Sequence, residues 1–288
     1  MPDRVIDAHL HLSHIRLFAQ TANDLTGVEY NPQGLSDEME QFNIAAAIGM
    51  GLSETEPGRF PDPLATNPMG LTMDHQIPHL YVCLGINPWT LDAQSLENLR
   101  QSTQEPSVVG LKLYAGYYHV SLLDAMYQPI YELAAELDLP IVIHGGDTYS
   151  IRGVMRYSHP LAINELAVQY PRNTFIMAHF GNPWVMDAAV TITNHPNVYA
   201  DMSGIILGGD GSVGEFMQEP LMMNYVKTGI LYSGHYDKFL FGTDWPLVPI
   251  GPYIRFVENL FPAEYHDMVF YENALRVFPR LAAGLRNV

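Results

Sequence analysis

Five short stretches carry side chains suited to metal or acid–base chemistry, and the densest is Val5 to Leu12, VIDAHLHL. Side chains alternate across a strand, so Asp7, His9 and His11 are expected on one face and Ile6, Ala8, Leu10 and Leu12 on the other. Two imidazoles two residues apart at a strand end can both reach one metal ion, while the apolar face packs against helices. Histidines placed by chance, or satisfied by hydrogen bonds in a core, are the plainer reading. Three polar groups on one face of an apolar strand weigh against it. Further groups close comparable apolar runs: Lys112 in GLKLY, His144 in IHGGD, His179 in AHFGN and Asp244 in GTDWP. Singly, Lys112 can bind an inner carboxylate, Asp244 can cap a helix and His179 can be a hydrogen-bonded core residue. Together they require that coincidence on five strands.

Eight β-rich runs can position these groups: Val5 to Leu12, Ile44 to Met50, Leu80 to Ile86, Val108 to Tyr114, Pro140 to His144, Thr174 to His179, Val198 to Met202 and Phe239 to Gly242. Helical segments alternate with them. Leu122 to Leu137 carries Met126, Ile130, Leu133 and Leu137 on one face, and Ser121 with Asp124 resembles a capping box. Ser158-His-Pro160 and Asn182-Pro183 place proline near a first helical turn. Strand and helix alternating eight times, at 36 residues per unit in a chain of 288, predict an α/β fold. The expected form is a single (β/α)8 TIM barrel, one domain over residues 1–288, with the strand-end groups gathered at one mouth. Ser13 to Gly34 and Gly51 to His79 read as long irregular connections, and Gly204 to Gly214 as a flexible loop, all shaping a pocket.

Composition narrows the partners. Hydrophobic residues make up 48% and charged residues 16%, as in a globular protein rather than a disordered one. With 31 Asp plus Glu against 14 Lys plus Arg, a net charge of −17 repels nucleic acid and anionic membrane surfaces. The single cysteine, Cys83, lies in an apolar run and allows no internal disulfide. No apolar run approaches the roughly 18 residues of a membrane span. A cytoplasmic protein acting on a small molecule is expected, with a homodimer as the common default.

DAHLH, GLKLY, IHGGD, AHFGN and GTDWP, in this order, resemble the amidohydrolase superfamily, in particular its branch that includes decarboxylases similar to aminocarboxymuconate semialdehyde decarboxylase. NALRVF, Asn273 to Phe278, resembles the ending of that branch. The resemblance implies a metal held by His9, His11, His144 and Asp244, with His179 as acid/base or substrate-polarising group. Independently of the resemblance, Asp244, a carboxylate at the metal edge, is placed to take the proton of an activated water and deliver it to a leaving group. Ligand type favours zinc, with manganese and iron open, and the resemblance implies one ion, or two if Lys112 is carbamylated as the bridging lysine of binuclear members is. With one ion, Lys112 is free to hold a substrate anion. Tyr114, Arg152, Arg156, Trp184 and Trp245 are candidate substrate contacts, while Tyr117, Tyr118 and His119 also follow strand four. Asp201 in DMSG either orients a ligand or ties strand seven. The leading expectation is a zinc-dependent hydrolase of a lactone, ester or amide carrying a carboxylate. Decarboxylation of an aromatic or unsaturated acid is the rival, and a non-catalytic metal-binding protein of the same fold the third reading.

Overall fold

A computed structural model describes residues 2–73 and 77–286. The strands are β1 (Val5–Leu10), β2 (Ile44–Met50), β3 (Leu80–Ile86), β4 (Val108–Leu113), β5 (Ile141–Ile143), β6 (Phe175–Met177), β7 (Val198–Asp201) and β8 (Phe239–Leu240). All eight expected strands are present, each paired parallel to the next in chain order. Backbone bonds from Ala8 N to Phe241 O (2.9 Å), His11 N to Trp245 O (2.7 Å) and Asp244 N to His9 O (2.8 Å) join the last strand to the first. The protein is a (β/α)8 barrel. Its α-helices are α1 (Arg16–Thr21), α2 (Pro32–Gln41), α3 (Ala93–Ser102), α4 (Gln128–Leu137), α5 (Pro160–Gln169), α6 (Val185–Asn194), α7 (Asp210–Gln218), α8 (Pro220–Ser233), α9 (Ile250–Leu260), α10 (Asn273–Val277) and α11 (Pro279–Arg286). No helix among the described residues is long and apolar enough to cross a membrane.

Two apolar layers hold the barrel. Ile6, Ala8, Ile48, Val142, Ile176 and Leu240 fill its interior and meet Phe278 and Leu281 near the C-terminus. Leu111, Ile141 and Phe175 point outward instead, into a layer with Leu133, Leu166, Ile192 and Phe256 of the helices. Near-continuous burial of both strand faces follows from this sandwich.

The expected alternation of β1 is only half observed. Ile6 and Ala8 face the interior, whereas Leu10 and Leu12 join the outer layer. Between Asp7 and Leu10 the strand takes three steps against two on β2, from Ala47 to Gly49. That irregularity shifts the alternation, turning His9 inward above Ala8. A similar slip on β4, where Val108 to Gly110 spans Val82 to Cys83, lets Lys112 follow Val109 to the inside.

Local start signals are partly corrected. Asp124 caps a short 3-10 turn, Ala125–Tyr127, by accepting from Met126 N, and Ser121 Oγ accepts from Leu123 N, so the two form no capping box. The helix itself begins at Gln128 with Pro129 in its first turn, and Met126 is exposed while Ile130 and Leu133 are buried. Pro160 opens α5 as expected, but Pro183 precedes α6 by two residues. The supposed flexible loop Gly204 to Gly214 becomes helical from Asp210. Gly51 to His79 is largely irregular, with residues 74–76 outside the described residues.

Candidate metal centre

His9, His11, Lys112, His144, His179 and Asp244 meet at the C-terminal mouth of the barrel, all at least nine-tenths buried. His11 Nε2 lies 3.0 Å and His9 Nε2 3.6 Å from Asp244 Oδ1, and Lys112 Nζ lies 3.5 Å from His9 Nε2. His179 Nε2 faces His144 Nδ1 at 3.2 Å. Two backbone turns make this convergence: His179 (φ 60) and Asp244 (φ 71) adopt the left-handed region, which costs energy outside glycine. Gly204 permits their approach. A Cβ there would stand 2.6 Å from His179 Nδ1 and 2.8 Å from Asp244 Oδ2.

Hydrogen bonds fix where the protons are. Asp201 Oδ2 accepts from His9 Nδ1 at 2.8 Å, leaving His9 Nε2 with a free lone pair. Ser203 Oγ donates to Asp201 Oδ1, so His179 Nδ1, 3.1 Å from Ser203 O and 2.9 Å from Ser203 Oγ, must itself carry a proton. His144 Nε2 donates to the Asp147 carbonyl at 3.0 Å. The two bare nitrogens, His179 Nε2 and His144 Nδ1, therefore face one another. Burial pushes the four imidazoles below their ordinary value, His179 to about 4 and His144 well below, so all are neutral at pH 7. Burial would raise both carboxylates, but His179, His11 and His9 overcome it at Asp244, and His9, His179 and Ser203 overcome it at Asp201, holding both below the usual range. Lys112 is lowered by burial to about 8, against the pull of Asp201 and Asp244.

These donors fit a cation. Asp244 Oδ1 and His11 Nδ1 are buried without hydrogen-bond partners among the described residues. His9, His11 and Asp244 offer ligand atoms within 4.8 Å of one another. Separations of 3.0 and 3.6 Å match the edges of a coordination shell whose members sit about 2.1 Å from a common ion. A second group, His9, His179 and Asp201, is equally compact but already hydrogen-bonded within itself. His144, expected as a fourth ligand, pairs with His179 and stands outside the three-donor cluster.

Above the centre opens a cavity of about 690 Å³, the size of a small-molecule site. Its walls are aromatic. Phe18 stacks on His11 at 4.6 Å, Tyr117 meets His144 edge-on at 4.7 Å, and Phe60 packs at 5.7 Å on Tyr114 and 5.2 Å on Tyr117. Of the candidate substrate contacts, Tyr114 and Arg152 line the cavity, although the Tyr114 hydroxyl is bonded to Gly51 O and Arg152 to Phe60 O. The other three do not line it. Arg156 bonds Tyr157, Trp184 packs at 4.6 Å on the His159 ring, and Trp245 is buried with its indole N–H on Glu38 Oε1. Sequence reading missed Arg16, Phe18, Phe60, Tyr149 and Ser203. Phe18 and Arg16 lie in HIRLF directly after the paired histidines, on α1, the one readable signal.

A parallel barrel with a buried histidine and aspartate centre at its C-terminal mouth defines an enzyme class. The chain belongs to the amidohydrolase family, whose sequence profile matches residues 6–280, and it is an enzyme of the amidohydrolase type. No curated protein sequence matches it. Among solved structures it is similar to an uncharacterized TIM-barrel protein from Bordetella bronchiseptica, with 16% identity, TM-score 0.71, and 97% of this chain and 99% of that one covered. It is also similar to a probable 2-pyrone-4,6-dicarboxylic acid hydrolase from Acinetobacter baumannii, with 16% identity, TM-score 0.62, covering 96% and 99%. A third is the 5-carboxyvanillate decarboxylase of Sphingomonas paucimobilis, with 15% identity, TM-score 0.59, covering 96% and 99%. The fold is thus shared by hydrolases and decarboxylases.

Proposed function

We propose that the protein is a hydrolase that holds one divalent ion, zinc by donor type, and opens a lactone, ester or amide in a small, flat, carboxylate-bearing substrate. The observation that carries this reading is Asp244 Oδ1, a buried ionised oxygen without a hydrogen bond among the described residues, at the cavity floor beside His9 Nε2 and His11 Nε2. His9, His11 and Asp244 would hold the ion. When bound there, a divalent ion supplies Lewis acidity and makes nearby water more acidic.

The remaining groups move protons and orient the substrate. Asp244 Oδ2 and the bare Nε2 of His179 accept a proton from water, and the same groups return it to the leaving oxygen or nitrogen. The role of His179 changes in this reading. A neutral ring whose Nδ1 proton is committed to Ser203 offers an acceptor to the cavity, not the donor needed to polarise a carbonyl. Hydrolysis begins with proton acceptance, whereas decarboxylation must deliver a proton to carbon, so this tautomer favours hydrolysis. Lys112 is a point charge for a carboxylate, and the aromatic walls suit a planar body. A charge of −17 supports a small substrate over nucleic acid.

Decarboxylation is the second reading, supported by the ring-lined cavity and by similarity to the 5-carboxyvanillate enzyme. Elemental analysis is expected to find about one ion per chain, lost in the His9→Ala, His11→Ala double variant. Lactones, esters and amides bearing carboxylates are then screened by acid release, and carboxylic acids by carbon dioxide release. Asp244→Asn is expected to lower turnover by a factor of about 100 or more. Carbon dioxide without any hydrolysis would replace the first reading by the second; no ion after reconstitution would overturn the metal centre.

A further inference from the structure

Opening a carbonyl asks two things of the protein: an acceptor for the proton of water, and a donor for the oxygen on which negative charge develops. His179 Nε2 and Asp244 meet the first. The second is open, because the only proton on the His179 ring is held by Ser203. Most hydroxyls that line the cavity cannot supply it. Tyr114 donates to Gly51 O at 2.8 Å and Thr148 Oγ1 to Ser150 O at 3.3 Å. Tyr149 faces Thr21 Oγ1 at 3.1 Å, and Ser150 adjoins the fully exposed Ile151. Tyr117 differs from all of them. Its oxygen accepts the backbone N–H of Tyr149 at 3.0 Å, which fixes the hydroxyl, while its own proton has no acceptor among the described residues. The ring stands edge-on to His144 at 4.7 Å and packs on Phe60 at 5.2 Å, so it is held beside the centre from two sides.

We propose that the Tyr117 hydroxyl is the donor that polarises the substrate carbonyl and holds its oxygen as charge builds there. This role rests on the hydrolase reading above. In that reaction the oxygen of water bonds to the carbonyl carbon, the water proton passes to His179 Nε2 or Asp244, and the π pair moves onto the carbonyl oxygen. Tyr117 O–H binds that oxygen more strongly as it becomes an anion, without giving up its proton. When the pair returns, the bond to the leaving oxygen or nitrogen breaks, and that atom takes the proton back from the acceptor. Burial pushes the Tyr117 phenol above its ordinary value, further than the Tyr149 N–H lowers it, and the charge of Asp244 adds to the rise. A phenol in that state gives a hydrogen bond rather than a proton. That suits addition to a carbonyl, whereas decarboxylation has to transfer a proton to carbon.

Tyr117→Phe keeps the ring and leaves the N–H of the exposed Tyr149 to water. Two probes of equal charge isolate the hydroxyl: methyl phenylphosphonate, tetrahedral at the reacting position, and benzoate, planar there. Calorimetry on the zinc-loaded protein is expected to show the variant binding the phosphonate about 100-fold more weakly and benzoate within about twofold of wild type. On an ester from the acid-release screen, kcat is expected to fall about 100-fold with KM little changed. Zinc content and circular dichroism are expected to match the wild type. Equal loss of both probes would make Tyr117 an anchor for the loop at 147–152 and overturn the catalytic role, as would loss of neither. Asn182, whose side chain also lines the cavity, is the rival donor. Selective loss of the phosphonate in Asn182→Ala, with none in Tyr117→Phe, would give the role to Asn182 instead. Full kcat in Tyr117→Phe on a hydrolysed ester overturns Tyr117 alone; carbon dioxide release without any hydrolysis overturns the hydrolase reading and Tyr117 with it.

Discussion

At the centre, single atoms decide what the imidazoles can do. Asp201 accepts His9 Nδ1–H at 2.8 Å and the backbone N–H of His179 at 3.0 Å, so one carboxylate sets both the tautomer of His9 and the entry of a left-handed turn. Asp201→Asn, which can present an amide N–H to His9, is expected to weaken metal binding about 10–100-fold, read by competition with a chelator. Activity restored fully by excess metal would confirm that its role is to orient. Unchanged affinity would contradict it. Gly204 acts by having no side chain. Gly204→Ala would place a methyl within 2.6 Å of His179 Nδ1 at a backbone φ of +58, displacing the ring or the loop. A displacement near 1 Å is expected to lower kcat about 100-fold while circular dichroism stays that of the native fold. A fully active Ala variant would mean that His179 and Asp244 need no such closeness.

The elements that carry these atoms were readable to different degrees. All eight strands follow from short apolar runs, because a strand covered on both faces has little choice of composition. Strand phase was less readable. Ile6, Ala8, Leu10 and Leu12 look like one face in VIDAHLHL, yet the slip against β2 divides them between two layers. A slip of this kind arises from pairing with another strand and leaves no local mark. The left-handed turns at His179 and Asp244 are equally silent, since neither residue advertises positive φ as glycine would. Trp245 misled for a related reason. It follows Asp244 but turns away from the cavity to Glu38 of α2, whose second oxygen accepts Ile250 N at the start of α9, both at 2.9 Å. Glu38 thereby ties α2 and α9 to the turn that presents Asp244. Glu38→Ala leaves two partly buried donors unpaired and is expected to cost about 1–3 kcal/mol, read as a lower urea midpoint with unchanged slope. A midpoint equal to the native one would show that water replaces the carboxylate.

Over the whole molecule, the buried titratable groups set how stability depends on pH, and they pull in opposite directions. The folded values of His9, His11, His144 and His179 lie below their ordinary value, chiefly through burial. Each adds stability that is complete above about pH 6.5 and is lost as pH falls toward the folded value, about 4 for His179. Asp7 is the opposite case. Burial raises it to about 7 despite hydrogen bonds from Thr243 and His9, so its contribution is present below about pH 4 and fades as pH rises through 7. Four lowered histidines against one raised aspartate leave the unfolded chain holding more protons than the folded one below about pH 6.5, so stability falls as the pH falls. Acid should therefore destabilise the metal-free protein well above the range where surface carboxylates titrate. Urea unfolding in chelator is expected to show stability falling steeply from pH 7 to pH 5. Asp7→Asn removes the opposing proton and is expected to steepen that fall by about one proton's worth. A flat profile between pH 5 and 7 would mean that the imidazoles at the barrel mouth are already charged in the folded state, and that the lone pairs assigned to the metal carry protons instead.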